Sequence, residues 1–390
     1  MMLKNRKRIA VIFNFRKGWM GGIIYIINLV NALNFLEDED KPEITVFYNP
    51  DLSEFIKDFE YPYVQFKEWN FPVLWKGYLL SFLTGKNVFV EKIIADFKPA
   101  GIYPLNDWPI SGKRMLAQNT RVVAWIPDLQ HKFYPHFFTR LRVFMRELRI
   151  KLLLHNATDL AVSSKDVGNH FRKFYQIRPE LNIHELRFVS IIKNFSFHSL
   201  TDLRAKYAIK HPYFIVSNQF TNHKNHKVLL RALIHLKSVG TSVNFVFTGK
   251  MDFKGNEKYI AEIRSIIKEN GLDEEINMLG IISRQDQLSL MKHARAVVQP
   301  SLFEGWSTVI EDAKSLQVPV IASDLPVNIE QLGETGFYFS PNNEIQLATL
   351  LGTFNESHSG DRYDKYEERV KKFAKDFMAI FSAGNSPSHA

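Results

Sequence analysis

Two carboxylates flank a short turn in the segment 299–314, which reads QPSLFEGWSTVIEDAK. The apolar run 296–298 before it predicts a strand, and helical periodicity follows the turn. A helix start presents backbone N–H groups and a positive dipole end, so an anion is favoured there. Glu304 can accept hydrogen bonds from hydroxyls, and Glu311, about two turns further on, can reach a second polar group such as a ribose. The pattern fits a sugar joined to a diphosphate, although an acid-rich first turn that serves only capping is the alternative.

A glycine-rich turn follows the first predicted strand. Its residues, Gly18-Trp19-Met20-Gly21-Gly22, precede an apolar-periodic helix over Ile23–Leu33. Glycines in such a turn let a ligand or another backbone approach closely, and the helix start again favours an anion. The spacing is not the G-x-G-x-x-G of dinucleotide-binding proteins, so a plain tight turn is an equal alternative.

A lysine follows the first predicted strand of the second half, within the loop 218–226. Lys224 is expected at the carboxyl edge of its sheet and near a helix start, where an ammonium can pair with a diphosphate. Glu304 and Thr308 should lie at the same edge. The alternative is a solvated, Asn-rich loop with a helix N-cap. No carboxylate is spaced with the two histidines of this loop as metal ligands require.

Short apolar runs alternate with helical periodicity along the whole chain, which predicts an α/β protein with parallel sheets. In the first half the predicted strands are Ile9–Phe13, Ile44–Tyr48, Gly101–Tyr103, Val122–Ile126, Leu160–Val162 and Phe188–Ile191. In the second half they are Tyr213–Ser217, Val243–Thr248, Ile276–Met278, Ala296–Gln299, Val318–Ala322 and Phe337–Phe339. Each set is sufficient for one doubly wound sheet.

The length of 390 residues exceeds what one hydrophobic core usually supports, so two domains are expected. The segment 193–212 has no clear strand pattern, and we place the linker there. It separates an N-terminal Rossmann-like domain over 1–195 from a C-terminal Rossmann-like domain over 210–372. A cleft between two such domains is the natural place for a site.

Composition narrows the possible partners. The net charge of +9 indicates an anionic partner, which could be nucleic acid, an acidic membrane surface or a phosphorylated substrate. No recognised nucleic-acid motif is present, so nucleic acid is not expected. The chain has no cysteine, which fits the cytoplasm. The apolar run after the basic N-terminus is too short for a signal peptide, and no window is long enough for a spanning helix.

Together these residues resemble the retaining glycosyltransferases of family 4, which have the GT-B fold of two facing Rossmann-like domains with a cleft between them. The resemblance covers most of the chain and is strongest over 213–339. It implies that Glu304 faces the donor sugar, that Thr308 and neighbouring amides hold the diphosphate, and that Glu311 binds the ribose. The donor-binding residues that it implies are Gly21, Gly22, Gln219, Lys224, Gly305, Trp306, Ser307, Thr308 and Glu311. It also implies that a C-terminal helix, about 373–390, crosses back to the first domain.

The sequence departs from the family pattern at three places. Glu304 and Glu311 are seven positions apart, one fewer than in the commonest form, which resembles a subset with a shortened EGWST motif. Gln219 stands where the family has an arginine. The family's His-Asp pair is replaced by Pro127-Asp128, so either Asp128 or His131 is expected to take the histidine's role. A structural role for His131 as an exposed loop residue is the alternative.

The segment 139–155 reads as a basic amphipathic helix. Its apolar face is Leu141, Phe144, Met145, Leu148 and Leu152, and its basic residues are Arg140, Arg142, Arg146, Arg149 and Lys151. An anionic membrane could bind this helix, or it could pack on its own domain through the apolar face. Upstream aromatic residues, among them Trp75 and Phe82, either bury locally or contact a lipid-linked acceptor.

The resemblance therefore predicts a metal-independent retaining glycosyltransferase that acts in surface polysaccharide or lipopolysaccharide biosynthesis. Its donor is a nucleotide-diphosphate sugar, its acceptor is a glycan or a lipid-linked intermediate, and no cofactor is expected. Catalytic roles are expected for Lys224 and Glu304, with Asp128 or His131 on the acceptor side. The expected location is the cytoplasm, with peripheral contact at the inner face of the plasma membrane. A protein that binds nucleotide sugar without turnover is the alternative.

Overall fold

The computed structural model describes residues 6–85, 87–106, 120–192, 195–252, 255–355 and 362–382. The chain divides into two compact units. Unit 1 comprises Met1–Ile191 and Glu367–Ala390, and unit 2 comprises Ile192–Tyr366. Each unit is built on a parallel sheet of its own, as the alternation of strand and helix patterns predicts.

In the sheet of unit 1, the order in which successive strands are added reverses next to the first strand. Its strands in the described residues are β1 (Arg8–Phe13), β2 (Glu43–Tyr48), β3 (Val64–Glu68), β4 (Gly101–Leu105), β5 (Arg121–Trp125), β6 (Asp159–Val162) and β7 (Asn182–Glu185). Their order across the sheet is β3-β2-β1-β4-β5-β6-β7. The loop after β1, which contains the glycine-rich turn, therefore lies at the topological switch point, where ligands bind in open α/β sheets.

Helices cover both faces of this sheet. They are α1 (Met20–Ala32), α2 (Leu74–Thr84), α3 (Glu91–Phe97), α4 (Gln130–Phe133), α5 (Arg140–Asn156) and α6 (Lys165–Phe174). Ile93 of α3, Ile150 of α5 and Phe171 of α6 share one core cluster with the strands. Since successive strand residues point to opposite faces, Tyr103 of β4 lies on the other face, where its ring contacts Tyr25 of α1.

The structure confirms the predicted central strands, but the sequence does not predict β3 and β7, the two edge strands of unit 1. β3 and β7 are mostly exposed and carry polar residues, so neither shows the apolar run of a buried strand. The predicted strand Phe188–Ile191 is wrong. That segment is irregular, and it is apolar because Phe188 packs against the rings of Tyr25 and Phe373.

The sheet of unit 2 places the loop that carries Lys224 beside the loop that carries Glu304. Its strands in the described residues are β8 (Tyr213–Ser217), β9 (Asn244–Thr248), β10 (Ile276–Gly280), β11 (Val297–Gln299), β12 (Val320–Ser323) and β13 (Phe337–Phe339). Its helices are α7 (Leu200–Tyr207), α8 (His226–Ser238), α9 (Glu257–Glu269), α10 (Arg284–His293), α11 (Thr308–Ser315), α12 (Pro326–Leu332) and α13 (Glu344–Thr353). The strand order is β10-β9-β8-β11-β12-β13, so β8 and β11 are neighbours and the loops that follow them meet.

The segment 193–212, in which we placed the linker, contains a helix of unit 2. Helix α7 lies within it, and Lys206 and Tyr207 donate hydrogen bonds to the buried Asp286 of α10, at 2.8 and 2.9 Å. The last helix, α14 (Tyr366–Ile380), belongs to unit 1 from Glu367 onward. Its side chains Phe373, Phe377 and Ile380 are buried.

The basic amphipathic helix forms, but its predicted apolar face does not pack on unit 1. Thr139 caps α5 by accepting a hydrogen bond from the backbone N–H of Arg142. The helix packs instead through Ile150, Leu153 and Leu154. The expected face is exposed, with Leu141 at 70%. The helix thus packs on its own domain, as one of the two alternatives has it, but not through the apolar face assigned to it from the sequence.

Candidate functional site

Lys224 and Glu304 meet at the carboxyl edge of the unit 2 sheet. Lys224 ends a short 3-10 turn after β8, and Glu304 follows β11. The Nζ atom of Lys224 lies 2.5 Å from Oε1 of Glu304, and Gln299 donates to the same oxygen at 2.7 Å. The two side chains retain only 18% and 9% of their accessible surface. A mostly buried cation is thus held at the switch point of this sheet.

The ionised state of Glu304 is favoured despite its burial. Burial alone raises the pKa of the Glu304 carboxyl, but the charge and hydrogen bond of Lys224 and a hydrogen bond from Ser301 outweigh it. The pKa of Glu304 is therefore lower than its ordinary value. At neutral pH the site holds a carboxylate and an ammonium in one charge-assisted hydrogen bond.

Backbone and side-chain hydrogen bonds fix the two loops to each other. The N–H of Leu302 donates to the carbonyl of His223 at 2.7 Å. Asn225 adopts a left-handed backbone conformation, and its amide donates to the carbonyls of Pro300 and Pro341 at 3.1 and 2.7 Å. Lys224 is next to these anchors in the chain, so its ammonium is presented from a fixed backbone.

The turn after Glu304 leads directly into α11. Gly305 and Trp306 are half-buried, and Thr308 is the first residue of the helix. Ser307 is the N-cap, and its hydroxyl accepts from the N–H of Ile310 at 3.3 Å. That hydroxyl serves the helix start, and the backbone N–H and carbonyl of Ser307 are both bonded to the side chain of Gln331.

Glu311 and Gln219 occupy different environments. Glu311 lies in the first turn of α11 but is buried, and its Oε1 accepts from Gln331 at 2.8 Å. Gln219 follows β8 and is exposed. Of these two, only Gln219 is open to solvent at the sheet edge.

In unit 1 the glycine-rich turn is shaped by Trp19. The indole of Trp19 stacks on the buried Trp125, with ring centroids 5.6 Å apart. A Cβ atom on Gly22 would lie 2.8 Å from the Trp19 ring, whereas one on Gly21 would meet it at an ordinary 3.6 Å. The glycine at position 22 is therefore required by this packing, independently of any ligand.

Asp128 and His131 lie in one polar cluster after β5. His131 is 1% exposed, and its Nε2 lies 2.6 Å from Oε1 of Glu147. Glu147 also accepts from Lys132 and Tyr175, at 2.8 and 2.9 Å. Burial and the nearby Arg146 charge lower the pKa of His131, although Glu147 opposes them. His131 is thus buried, not the exposed loop histidine that the sequence left open, and it holds Glu147 in place.

Asp128 is the accessible member of that cluster. Its Oδ1 accepts from the N–H of Gln130 at 2.9 Å and from Arg146 at 3.2 Å. The side chain keeps 29% of its surface. Of the two alternatives at this strand end, Asp128 is the one that an acceptor can touch in this conformation.

Within the described residues, no group of three or more His, Asp or Glu side chains is arranged to hold a metal ion. Within the same residues, no helix is both long and apolar enough to cross a membrane.

The family comparison covers the part of the chain that contains Lys224, Glu304 and Glu311. Residues 201–376 match the family described as Glycosyl transferases group 1. This is the region in which the resemblance drawn from the sequence is strongest.

Two curated relatives extend the similarity toward the N-terminus. The O-antigen chain mannosyltransferase RfbU of Salmonella typhimurium is 25% identical over 254 residues, which is 65% of each chain. The matched region thus spans less than two thirds of that relative's length. In Campylobacter jejuni, the N-acetylgalactosamine-N,N'-diacetylbacillosaminyl-diphospho-undecaprenol 4-alpha-N-acetylgalactosaminyltransferase is 26% identical over 272 residues, 68% of each chain.

Solved structures support the fold over nearly the whole chain. Anabaena HepE, solved in complex with UDP and glucose, superposes with a TM-score of 0.62 at 17% identity and covers 96% of both chains. This likeness and the two parallel sheets confirm the predicted GT-B fold class of Rossmann-like α/β units.

Three residues of the unit 2 site were not predicted. Gln299 ends an apolar strand, and a polar residue at that position is a signal that could have been used. Asn225 belongs to a loop that was otherwise compatible with simple solvation. Gln331 lies on another helix, and nothing in the spacing of the sequence connects it with Ser307 or Glu311.

The buried His226 at the start of α8 generates a pH prediction. Its ring stacks on Phe220 at 4.2 Å, and burial, followed by the charges of Lys224 and His223, lowers the pKa of His226 to about 3. The unfolded chain, with a histidine pKa of about 6.5, binds a proton that the folded protein excludes between these values. Stability therefore falls as pH drops below about 6.5.

Between pH 7 and pH 5 we expect the wild type to lose about 2 kcal/mol more unfolding free energy than His226→Phe. Urea unfolding of both proteins at the two pH values measures the difference. An equal pH dependence in the two proteins would show that His226 binds a proton in the folded protein as readily as in the unfolded chain, and would contradict this prediction.

Proposed function

We propose that this protein is a group 1 glycosyltransferase that transfers a sugar from a nucleotide-diphosphate sugar to a glycan or lipid-linked acceptor. The observation that supports this most is the ion pair of Lys224 and Glu304 at the switch point of unit 2, beside the start of α11. The names of the two relatives point to surface polysaccharide or lipopolysaccharide biosynthesis as the setting.

The positive charges near the start of α11 support a position for the donor. The diphosphate binds between the Lys224 ammonium and the first N–H groups of α11, where Gly305, Trp306 and Thr308 form the approach to the helix. Glu304, held by Lys224 and Gln299, accepts hydrogen bonds from hydroxyls of the donor sugar. The Lys224 ammonium has further N–H groups besides the one bonded to Glu304, so it can pair with the diphosphate while that bond is kept.

The reaction retains configuration at the anomeric carbon. The bond between that carbon and the diphosphate oxygen breaks, and the acceptor oxygen forms its bond on the same face. The departing phosphate oxygen takes the proton of the acceptor hydroxyl, so no strong protein base is required. The protein orients both substrates and stabilises the leaving diphosphate, and Lys224 supplies the positive charge without a metal ion.

On the acceptor side Asp128 orients the acceptor hydroxyl. It is a half-buried but accessible carboxylate after β5, and Arg146 and the N–H of Gln130 hold it in position. His131 acts indirectly, because its contact with Glu147 fixes α5, which carries Arg146. Gly21, the second residue of α1, is exposed next to the switch point of unit 1, where a substrate can approach its backbone.

Replacing either member of the ion pair by a neutral amide side chain tests this assignment. We expect Lys224→Gln and Glu304→Gln each to lower kcat/KM by about 10²–10³, because each removes a charge that acts on the transition state and keeps a hydrogen-bonding group. Transfer is measured with a radiolabelled nucleotide sugar and an acceptor glycolipid extract.

Lys227→Gln is the matched control, since Lys227 on α8 pairs with Glu262 instead of Glu304 and the variant loses the same charge. Circular dichroism confirms that each variant folds. Near-normal turnover in Lys224→Gln or Glu304→Gln would contradict the assignment. Nucleotide-sugar binding without transfer or hydrolysis in the wild type would favour the inactive alternative.

We further propose that unit 1 contacts an anionic membrane, at the inner face of the plasma membrane, through α2 and α5. Helix α5 exposes Leu141 and Phe144 beside Arg140, Arg142 and Lys151, which are also exposed. Exposed apolar side chains next to cations fit the boundary between headgroups and acyl chains.

Helix α2 has its small residues inside and its large residues outside. The Phe89 ring lies so close to Gly77 that a Cβ atom there would meet it at 2.3 Å, and Ser81 accepts from the N–H of Val88. The exposed large apolar residues of α2 and the residue before it are Val73, Leu74, Trp75, Leu79, Leu80, Phe82 and Leu83. Phe89, against which α2 packs, belongs to the core cluster that also contains α5 residues. Helices α2 and α5 therefore cover the same face of the unit 1 sheet.

Removing charge from α5 tests this surface. We expect Arg140→Gln/Arg142→Gln/Lys151→Gln to weaken binding to phosphatidylglycerol vesicles roughly 100-fold, because each cation near an anionic surface contributes about 1 kcal/mol. Flotation with phosphatidylglycerol and with phosphatidylcholine vesicles measures the effect.

The control removes three exposed cations from α9 of unit 2, as Lys258→Gln/Arg264→Gln/Lys268→Gln. A wild type that binds neither vesicle would contradict the membrane surface. An equal loss of vesicle binding in the control variant would also contradict it.

A further inference from the structure

Trp19 is a large apolar side chain held at the border with solvent. It lies between β1 and α1, next to the switch point of the unit 1 sheet, and is 37% exposed. Its ring stacks on that of Trp125 with the two planes 15° apart, and the ring of Phe15 meets it edge-on at 5.4 Å. It also fills the space that Gly22 leaves open. The ring is therefore preorganised, so a ligand that packs on it orders few side chains when it binds.

The exposure of one apolar ring is ordinary in itself, but the surroundings of Trp19 cost stability at two further points. Trp19 is the N-cap of α1 and its side chain makes no capping hydrogen bond, whereas Ser, Thr, Asp or Asn in that position would stabilise the helix start. The indole N–H of Trp125 is buried and has no hydrogen-bond partner among the described residues. Costs of this kind are expected where a residue serves binding rather than stability.

Trp19 is the accessible member of an aromatic cluster. Phe15, Tyr25 and Trp125 are buried, and Tyr25 stacks on Trp125 with ring centroids 4.4 Å apart. The hydroxyl of Tyr25 is hydrogen-bonded to that of Tyr103 on β4, which anchors the cluster in the core. Of these rings, Trp19 is the one that a ligand can reach.

Trp19 and Asp128 lie at one edge of the unit 1 sheet. Asp128 comes three residues after Trp125, in the segment that follows β5. Strands β1 and β5 both pair with β4, and both pairings are parallel, so the segments that follow β1 and β5 leave the sheet at the same edge. The carboxyl edge of unit 1 thus offers a flat aromatic ring and a hydrogen-bond acceptor.

A pyranose has the two kinds of surface that these groups match. The C–H groups on one face of the ring can pack on the electron-rich face of an aromatic side chain. The hydroxyls around its rim can donate to a carboxylate such as Asp128. An acyl chain offers no hydroxyl, and a linear polyol offers no flat face. The pair of groups therefore favours a sugar ring over either of these.

We propose that the acceptor ends in a pyranose and that Trp19 is the residue on which this terminal ring packs. The inference rests on the proposed function, since it names the class of acceptor for that transfer. It applies to a free glycan and to a lipid-linked intermediate alike, because it concerns only the terminal sugar. Trp19 then selects acceptors by the shape of one ring face, and Asp128 orients the hydroxyl that is glycosylated.

Saturation-transfer NMR with soluble glycosides tests this role without requiring turnover. The methyl α-glycosides of mannose, glucose, galactose and N-acetylgalactosamine are added separately to the wild type, and glycerol serves as a probe without a ring. We expect at least one glycoside to receive saturation, most strongly at the C–H protons of one ring face, and glycerol to receive none. Trp19→Leu should lower the glycoside signal about tenfold, because the aromatic face is lost.

Two further variants keep the test decisive. Trp19→Phe keeps a smaller ring and should lower the signal only about threefold, which also serves if Trp19→Leu does not fold. Phe66→Leu is the matched control, because Phe66 on β3 is likewise 37% exposed, and it should give the wild-type signal. No glycoside signal in the wild type would overturn the proposal, and so would an undiminished signal in both Trp19 variants.

Transfer kinetics separate the acceptor from the donor. We expect Trp19→Leu to raise the acceptor KM about tenfold and to leave kcat and the donor KM within about twofold of the wild type. A rise in the donor KM instead would place Trp19 at the donor and contradict the inference. Glycoside binding through Trp19 in a wild type that transfers no sugar would overturn the proposed function alone. Transfer by a wild type that binds no glycoside through Trp19 would overturn this inference alone.

Discussion

The ion pair of Lys224 and Glu304 is the interaction on which the unit 2 site depends. Taking an ammonium and a carboxylate out of water is expensive, and removing one partner of a buried pair typically costs about 3–5 kcal/mol. The protein meets this constraint with a second donor to Glu304, from Gln299, and with backbone bonds that hold both loops. A preorganised cation at a sheet switch point is the result, and an anionic substrate can use it without reorganisation.

The strand order of unit 2 brings together the elements that carry these residues. Lys224 and Glu304 can pair only because β8 and β11 are adjacent in the sheet, although β9 and β10 lie between them in the sequence. The next strand, β12, brings α12 beside α11, and so brings Gln331 to the turn. The segments that follow three neighbouring strands, β8, β11 and β12, thus supply the Lys224 ammonium, the Glu304 carboxylate and the Gln331 amide.

The sequence predicts the central strands, because buried parallel strands are continuous apolar runs. It also predicts that Lys224 and Glu304 lie at one edge of the sheet, because each belongs to the loop after such a run. It does not predict β3 and β7, whose exposed edge positions remove the apolar signal. Helical periodicity identifies α5 correctly but assigns the wrong face to the core, since the periodicity cannot tell whether an apolar face meets the protein or another surface. Gln331 could not be predicted, because its role arises from three-dimensional contacts with Ser307 and Glu311 and from no local pattern.

The central claim is that the Lys224–Glu304 pair is the binding site of a nucleotide-diphosphate sugar. Thermal unfolding of the wild type and of Lys224→Gln, with UDP-, GDP- and dTDP-sugars, tests it most directly. We expect one of the three donors to stabilise the wild type by about 2.7 kcal/mol at 100 times its dissociation constant and to leave Lys224→Gln almost unchanged. No stabilisation by any donor, or equal stabilisation of both proteins, would contradict the account.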